Sequence, residues 1–166
     1  LTIGYTHDIM KNQQFLGLLF AASIGFISLA VVFGEMIHMY DRAWWWDDML
    51  HALSGILFAY IGLYMLHVLE RKNAVRLHPM TILLFTLCFA ITAGVLWEIY
   101  EFVLDISFGF TMQQWNMGPH AIVMGNSYQG IGLRDTMQDL ILATIGAFVT
   151  AFAIAIRTRR RTMLTV

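Results

Sequence analysis

The sequence predicts an all-α, polytopic membrane protein, a four-helix bundle whose amino and carboxyl termini both lie in the cytoplasm. Three observations support this prediction. Of the 166 residues, 58% are hydrophobic and only 13% are charged, and the mean hydropathy of +0.65 lies outside the range of soluble domains. The apolar residues form long continuous segments, and the charged residues sort to opposite ends of those segments.

Four segments are long enough to cross a bilayer as helices. A helix needs about 20 apolar residues to span the hydrocarbon core, and the spans predicted here are 15–34, 49–69, 79–104 and 138–156. They are continuously apolar, whereas strands of a membrane barrel alternate over about ten residues. Because lipid offers no partner to backbone polar groups, the spans should be helical. We therefore expect one transmembrane domain over 1–166.

The charged residues predict the orientation of these spans. Lys and Arg near span ends are retained in the cytoplasm. Eight of the ten basic residues lie at one end, with Arg42 and Arg134 at the other, and nine of the eleven acidic residues share that other end. The acids at this outward end are Glu35, Asp41, Asp47, Asp48, Glu98, Glu101, Asp105, Asp135 and Asp139.

The first span is longer than the apolar region of a signal peptide, so we expect it to be retained. The chain starts with Leu, which suggests that the native start lies upstream. Small residues recur at every fourth position of the first and fourth spans and predict close packing, within the chain or between copies. These stripes are Gly17, Ala21 and Gly25, then Ala143, Ala147, Ala151 and Ala155.

Two segments should face outward. The segment 35–48 contains Trp44, Trp45 and Trp46, which favour the headgroup level of a bilayer. The segment 105–134 is rich in Gly, Asn, Gln and Met and is long for a loop without structure. Long loops are often functional, and this one is predicted to cap a site as a lid.

The outward acids follow helical spacing, which places them on shared faces. Asp47 and His51 are four residues apart, as are Asp135 and Asp139, while Glu98 and Glu101 are three apart. An isolated charge at membrane depth costs about 2.5–3.5 kcal/mol, so such acids usually face one another, a cavity or a cation. We therefore expect the three helices to bring these side chains together.

Three interpretations of this cluster remain open from the residues alone. In the first, a divalent metal (zinc, manganese or iron) is held by Glu98, Glu101 and Asp139, with His51 adding a nitrogen ligand. In the second, shared protons make a relay or a polar substrate site. In the third, Arg134 pairs with Asp135 or a neighbouring acid in a structural network. The supporting polar residues in each case are Asp47, Arg134, Asp135 and Asp105.

Three stretches resemble the YjdF-like family of uncharacterised bacterial inner-membrane proteins and, more distantly, VanZ-like proteins. They are DDMLHALSG at 47–55, WEIYE at 97–101 and GLRDTMQDLILATIGA at 132–147, of which DTMQDL is the most specific. The resemblance implies a small helical protein of the bacterial inner membrane with polar residues at the positions of the cluster. It implies no established reaction, and the paired glutamates and the long outward segment depart from the VanZ-like pattern.

Several functional classes fit these features. As an enzyme, the protein would act on an outer-leaflet substrate through a carboxylate or a metal-bound water. As a non-catalytic accessory subunit, it would pack against a larger membrane complex, and as a small transporter it would carry protons or cations. Expected partners are membrane lipids and either further copies of the chain or a larger complex. The net charge of −1 argues against nucleic acid.

Overall fold

The computed structural model describes residues 13–73, 77–109, 112–113 and 131–164, and these residues are almost entirely helical. Within these ranges there is no β-strand, which confirms the all-α prediction. The helices are α1 (Gln13–Ser28), which continues as a π-helical segment (Leu29–Met36), a short α2 (Met39–Arg42), α3 (Trp46–Asn73), α4 (Pro79–Phe108) and α5 (Ile131–Leu164).

Among the described residues, four helical stretches are long and apolar enough to cross a membrane, as the sequence predicts. They are Gln14–Gly34, Trp46–Glu70, Pro79–Phe108 and Gly132–Ile156, with mean hydropathies between 1.8 and 2.4. α4 continues to Phe108 and α5 begins at Ile131, so both helices extend into the segment 105–134. The predicted lid falls mostly outside the described residues. Which end of the helices faces the cytoplasm stays a prediction.

The core of the bundle is formed by α3, α4 and α5, which all pack against one another. α1 packs mainly against α3. At one end, Phe15 contacts the rings of Tyr60 and Tyr64 at centroid distances of 6.4 and 6.3 Å. At the other end, Ala30 packs with Trp46 and Leu50. α1 is therefore a peripheral helix beside a three-helix core.

The two predicted small-residue stripes have different environments. A Cβ atom added at Gly17 or Gly25 would meet nothing within 4 Å, so the stripe on α1 makes no close contact inside the described chain. In α5, by contrast, Ala143, Ala147 and Ala151 are buried. The second stripe is thus a packing seam of the bundle.

The closest helix contact is a glycine seam between α3 and α5. A Cβ on Gly55 would overlap the carbonyl oxygen of Ala143, and a Cβ on Gly146 would overlap the carbonyl oxygen of Ala52. Small residues permit this approach of two backbones in a membrane. The pairs Gly55–Ala143 and His51–Asp139 are offset by four residues in each helix, so α3 and α5 run in the same direction.

This seam positions the polar residues at the end of the bundle where α3 and α5 begin. His51 lies one turn before Gly55, and Asp139 lies one turn before Ala143. Because the two helices approach so closely, His51 and Asp139 face each other at the same level. Beyond the seam, Ala59, Ala90 and Ala147 form a fully buried alanine layer across α3, α4 and α5.

Candidate metal site

His51 is the central residue of the polar cluster, and carboxylates from all three core helices surround its ring. Its Nε2 atom lies 3.5 Å from Asp47 Oδ1 and 3.8 Å from Asp139 Oδ2, while its Nδ1 atom lies 3.7 Å from Glu98 Oε1. Asp47 is on the same helix, Glu98 comes from α4 and Asp139 from α5. The ring therefore has acceptors on both of its nitrogen edges.

The donors form two groups that share His51. Asp47, His51 and Asp139 offer ligand atoms that all lie within 4.8 Å of one another, and so do His51, Glu98 and Glu101. All four residues of the predicted metal set thus lie in the cluster, but they are divided between the two groups. Asp47, which we predicted to support the site, lies among the candidate ligands.

Two of these carboxylates are deeply buried and have oxygens without hydrogen bonds. Glu98 is 4% exposed and Asp139 is 2% exposed. Within the described part of the chain, neither oxygen of Glu98 has a hydrogen-bond partner, and the same holds for Oδ2 of Asp139. Gln113 and Thr136 lie beside Glu98, but the Nε2 atom of Gln113 donates to Thr136 Oγ1 at 2.7 Å.

Carboxylates in this environment need a compensating charge. Among the described side chains, the ion-pair contact of Glu98 and Asp139 is with His51, and no Lys or Arg takes part. A buried ionised carboxylate without a partner is costly, so either a bound cation or shared protons must balance this cluster. The arrangement can therefore bind a divalent cation or hold protons.

Glu101 has a partner that the sequence analysis missed. The Nε1 atom of Trp97 donates to Glu101 Oε1 at 2.7 Å across one helical turn. The spacing in WEIYE contains this signal, because residues four apart share a helix face. Trp97 thus holds one oxygen of Glu101 at the edge of the cluster.

Asp105 lies apart from the cluster and anchors the chain after α4. Its Oδ1 accepts the backbone N–H of Met112 at 2.8 Å, and its Oδ2 accepts that of Gln113 at 3.0 Å. Gly109, which lies between Asp105 and Met112 in the sequence, ends α4 with a φ of +69°. Its N–H donates to the backbone carbonyl oxygen of Asp105. Asp105 is a structural acid with both side-chain oxygens bonded.

Replacing Asp105 with alanine should destabilise the protein without changing its metal content. The variant leaves two backbone N–H groups without their acceptor, and hydrogen bonds to a charged group contribute about 1.5–3 kcal/mol each. We expect a lower unfolding midpoint in detergent and the same metal-to-protein ratio as the wild type. A lower ratio in protein that remains folded would place Asp105 in the site.

Other polar contacts join the helices around the cluster. The Nε2 atom of Gln138 donates to Asp48 Oδ1 at 2.6 Å, which ties α5 to α3. Asp135 is half-buried one turn before Asp139, and Arg134 is exposed. Among the described side chains, Arg134 forms no ion pair with an acid within 4.0 Å. The predicted pairing of Arg134 with Asp135 has no geometric support in this arrangement.

Comparison with known proteins identifies a family, and the matches name no reaction. An uncharacterised protein of Thermotoga maritima is 26% identical over 126 residues, which cover 75% of this chain and 55% of that relative. The chain thus spans just over half of the relative's length. No solved structure matches the chain. Neither match carries the YjdF or VanZ name, so those resemblances stay predictions.

The broadest match is to a family model that covers residues 9–160, including all four spans and the whole cluster. The family is described as "Predicted membrane protein (DUF2238)". Since the match extends over most of the chain, the protein belongs to this family of predicted membrane proteins.

Proposed function

We propose that this protein binds a divalent metal ion at the outward end of its helical bundle, in the inner membrane of a bacterium. The ion would lie beside His51, among the carboxylates of Asp47, Glu98, Glu101 and Asp139. The observation that carries this proposal is the pair Glu98 and Asp139, which are buried and face the same imidazole ring. Both oxygens of Glu98 and Oδ2 of Asp139 have no hydrogen-bond partner in the described chain.

Comparison with Asp105 supports a role for Glu98 and Asp139 in the metal site, as a ligand or as a partner of the ligating histidine, over a purely structural one. Asp105 is about as buried as Glu98, but both of its oxygens accept backbone hydrogen bonds. Buried polar groups with a purely structural role are normally satisfied in this way. Oε1 of Glu98 and Oδ2 of Asp139 instead have no hydrogen-bond partner in the described chain and lie beside the two nitrogens of His51. A metal bound to that ring would satisfy this arrangement.

The donor types narrow the choice of ion. One imidazole with several carboxylates suits zinc, manganese or iron, whereas calcium and magnesium prefer sites made only of oxygen. An ion bound here could activate a water molecule for attack on an outer-leaflet substrate. This use would make the protein a metal-dependent enzyme of the membrane surface.

The alternative functions have unequal support. A path for protons or cations through the bundle would have to pass the layer of Ala59, Ala90 and Ala147, and among the described residues the buried polar side chains near that layer are Thr86 and Thr150, which carry no charge. Transport through a single copy is therefore disfavoured. An accessory-subunit role remains a second proposal, supported by the open small-residue face of α1 at Gly17 and Gly25, which another helix could approach.

The test is metal analysis of the protein purified gently in detergent. The wild type should contain zinc, manganese or iron in stoichiometric amount, and a Glu98→Ala, Asp139→Ala double variant should lose it. Asp41→Asn is the matched control, because this exposed acid lies near the same end of α3 and its removal changes the charge without touching the cluster. Circular dichroism and gel filtration would show that each variant is folded.

Two results would contradict the proposal. One is wild-type protein that holds none of the three metals after each has been supplied to the stripped protein. The other is a folded double variant that retains the full metal content. Either result would favour the proton-linked or structural interpretation of the cluster.

A further inference from the structure

We infer that the ion lies on the Nε2 side of His51, bound by Asp47, His51 and Asp139, and that Glu98 positions the ring as a hydrogen-bond acceptor without binding the ion. This inference rests on the proposed metal function and specifies how the site is built. It assigns Asp47 and Asp139 as ligands and Glu98 as a supporting residue, whereas the sequence pattern predicts Glu98 among the ligands and Asp47 among the supporting residues.

The chemistry of histidine requires one ring nitrogen to bind the ion and the other to donate its hydrogen to an acceptor. A neutral imidazole binds a metal through one nitrogen, and the other nitrogen keeps its hydrogen. In metal sites that second N–H almost always donates to a carboxylate, a carbonyl or water, which fixes the orientation of the ring. With carboxylates on both edges of His51, one edge should hold the ion and the other should accept the N–H.

The distances favour Nε2 as the metal-binding nitrogen. Two donors that share an ion at bond lengths of about 2.1 Å can be separated by at most about 4.2 Å. Asp47 at 3.5 Å and Asp139 at 3.8 Å both satisfy this limit around Nε2. Around Nδ1, Glu98 satisfies it at 3.7 Å, whereas no oxygen of Glu101 lies within 4.0 Å of a His51 nitrogen.

The hydrogen bond that Glu101 accepts from Trp97 also favours Nε2 as the metal-binding nitrogen. Trp97 already donates to Glu101 Oε1 at 2.7 Å, so moving this carboxylate toward Nδ1 would break that bond. Glu98, by comparison, has Oε1 3.7 Å from Nδ1, and within the described chain this oxygen forms no hydrogen bond of 3.5 Å or less, although Thr136 and Gln113 lie beside the carboxylate. It is therefore placed to accept the Nδ1 hydrogen once Nε2 binds the ion.

Solvent exposure and carboxylate charge also favour an ion on the Nε2 side of His51. The Asp47 side chain is 18% exposed, while those of His51, Glu98 and Asp139 are 7% or less, so an ion from solution would reach the Nε2 side first. The two carboxylates of Asp47 and Asp139 also neutralise a divalent ion. The spacing of Asp47 and His51 by four residues suits two ligands on one helix face, as in other metal-binding helices.

Cobalt(II) is a suitable probe, because its visible absorption reports which atoms bind it. Metal-free full-length protein in detergent would be titrated with cobalt(II), and the affinity and spectrum of the wild type would be compared with those of Asp139→Asn, Glu98→Gln and Glu98→Ala. We expect Asp139→Asn to abolish binding or to alter the spectrum, because a ligand is lost. Asp105→Asn is the control, since this buried acid lies outside the cluster.

The Glu98 variants carry the decisive result. Loss of a carboxylate that orients a ligating histidine typically lowers metal affinity about 10–100-fold. We expect a decrease in this range for Glu98→Gln with the wild-type spectrum retained, because the amide oxygen can still accept the Nδ1 hydrogen. Glu98→Ala, which has no acceptor, should bind more weakly than Glu98→Gln. Merely structural damage would not produce this order at constant spectrum.

The opposite pattern would overturn the inference while leaving the metal site in place. That pattern is a changed spectrum in Glu98→Gln together with near-normal binding by Asp139→Asn, which would put the ion on the Nδ1 side. Equal spectral changes in both variants would also contradict it, because Glu98 would then be a ligand. Failure of the wild type to bind cobalt(II), zinc or manganese would instead contradict the proposed function itself.

Discussion

Replacing Gly55 with alanine should disrupt the bundle more than single-methyl changes outside the seam between α3 and α5. The added Cβ would overlap the carbonyl oxygen of Ala143, which belongs to the backbone of a long helix and cannot rotate away. The two helices must therefore separate, and overpacking of this kind costs about 3 kcal/mol or more when the neighbour cannot relax. Unfolding by added denaturing detergent, followed by circular dichroism, would measure the loss.

Gly94→Ala is the matched control for this prediction. Gly94 is also a buried core glycine, but a Cβ there would make ordinary contacts of 3.8 Å with side-chain atoms of Ala143 and Leu140. We expect its stability to stay within about 0.5 kcal/mol of the wild type. Equal destabilisation by the two variants would show that the seam between α3 and α5 is no tighter than the rest of the core.

Gly55→Ala should also weaken metal binding. His51 and Asp139 lie one turn from the seam, so separation of α3 from α5 moves these two side chains apart. Gly146→Ala should behave like Gly55→Ala, because its Cβ would overlap the carbonyl oxygen of Ala52 in the same seam. Gly55→Ala protein that is folded and binds metal as the wild type does would contradict this coupling.

Exchanging Asp139 for asparagine should have opposite effects on stability with and without metal. Asn has nearly the shape of Asp, carries no charge and supplies two N–H donors to a cluster rich in acceptors. In a chelator, the variant should be more stable than the wild type by about 1 kcal/mol or more, because an unsatisfied buried group costs about 1–3 kcal/mol.

With metal present, the order of stability should reverse, so that the wild type is more stable than Asp139→Asn. A ligand that binds only the folded state stabilises it by about 2.7 kcal/mol at 100 times its dissociation constant, and Asp139→Asn should lose this gain. Unfolding of both proteins in chelator and in excess zinc or manganese would measure the four midpoints. A variant that is less stable than the wild type in chelator would mean that Asp139 has a structural role.

Much of the architecture follows from local properties of the chain. The lengths of the apolar segments predict four helices, and the structure confirms them because an apolar run of this length has few other stable forms in lipid. Helical spacing also pairs Asp47 with His51 and Glu98 with Glu101, since residues three or four apart share a face in any helix. Even the hydrogen bond from Trp97 to Glu101 is of this local kind.

Contacts between helices do not follow from such periodicity. The stripes of Gly17, Ala21 and Gly25 and of Ala143, Ala147 and Ala151 look alike in sequence, yet only the second packs inside the bundle. Likewise Asp105 and Asp139 are both acids at the same end, but one is bonded to backbone N–H groups and the other faces His51. Which partner a face meets depends on how the helices pack.

The sequence by itself thus determined the membrane class, the number of candidate spans in the described chain and the end of the bundle that holds the acids, because length, hydropathy and helical period are properties of each segment alone. Only the tertiary structure decided that His51 lies between Asp47, Asp139 and Glu98, and that both oxygens of Glu98 and Oδ2 of Asp139 have no hydrogen-bond partner in the described chain. The physical reason is the glycine seam, where the absence of two Cβ atoms lets α3 and α5 approach and fixes the level at which their side chains meet.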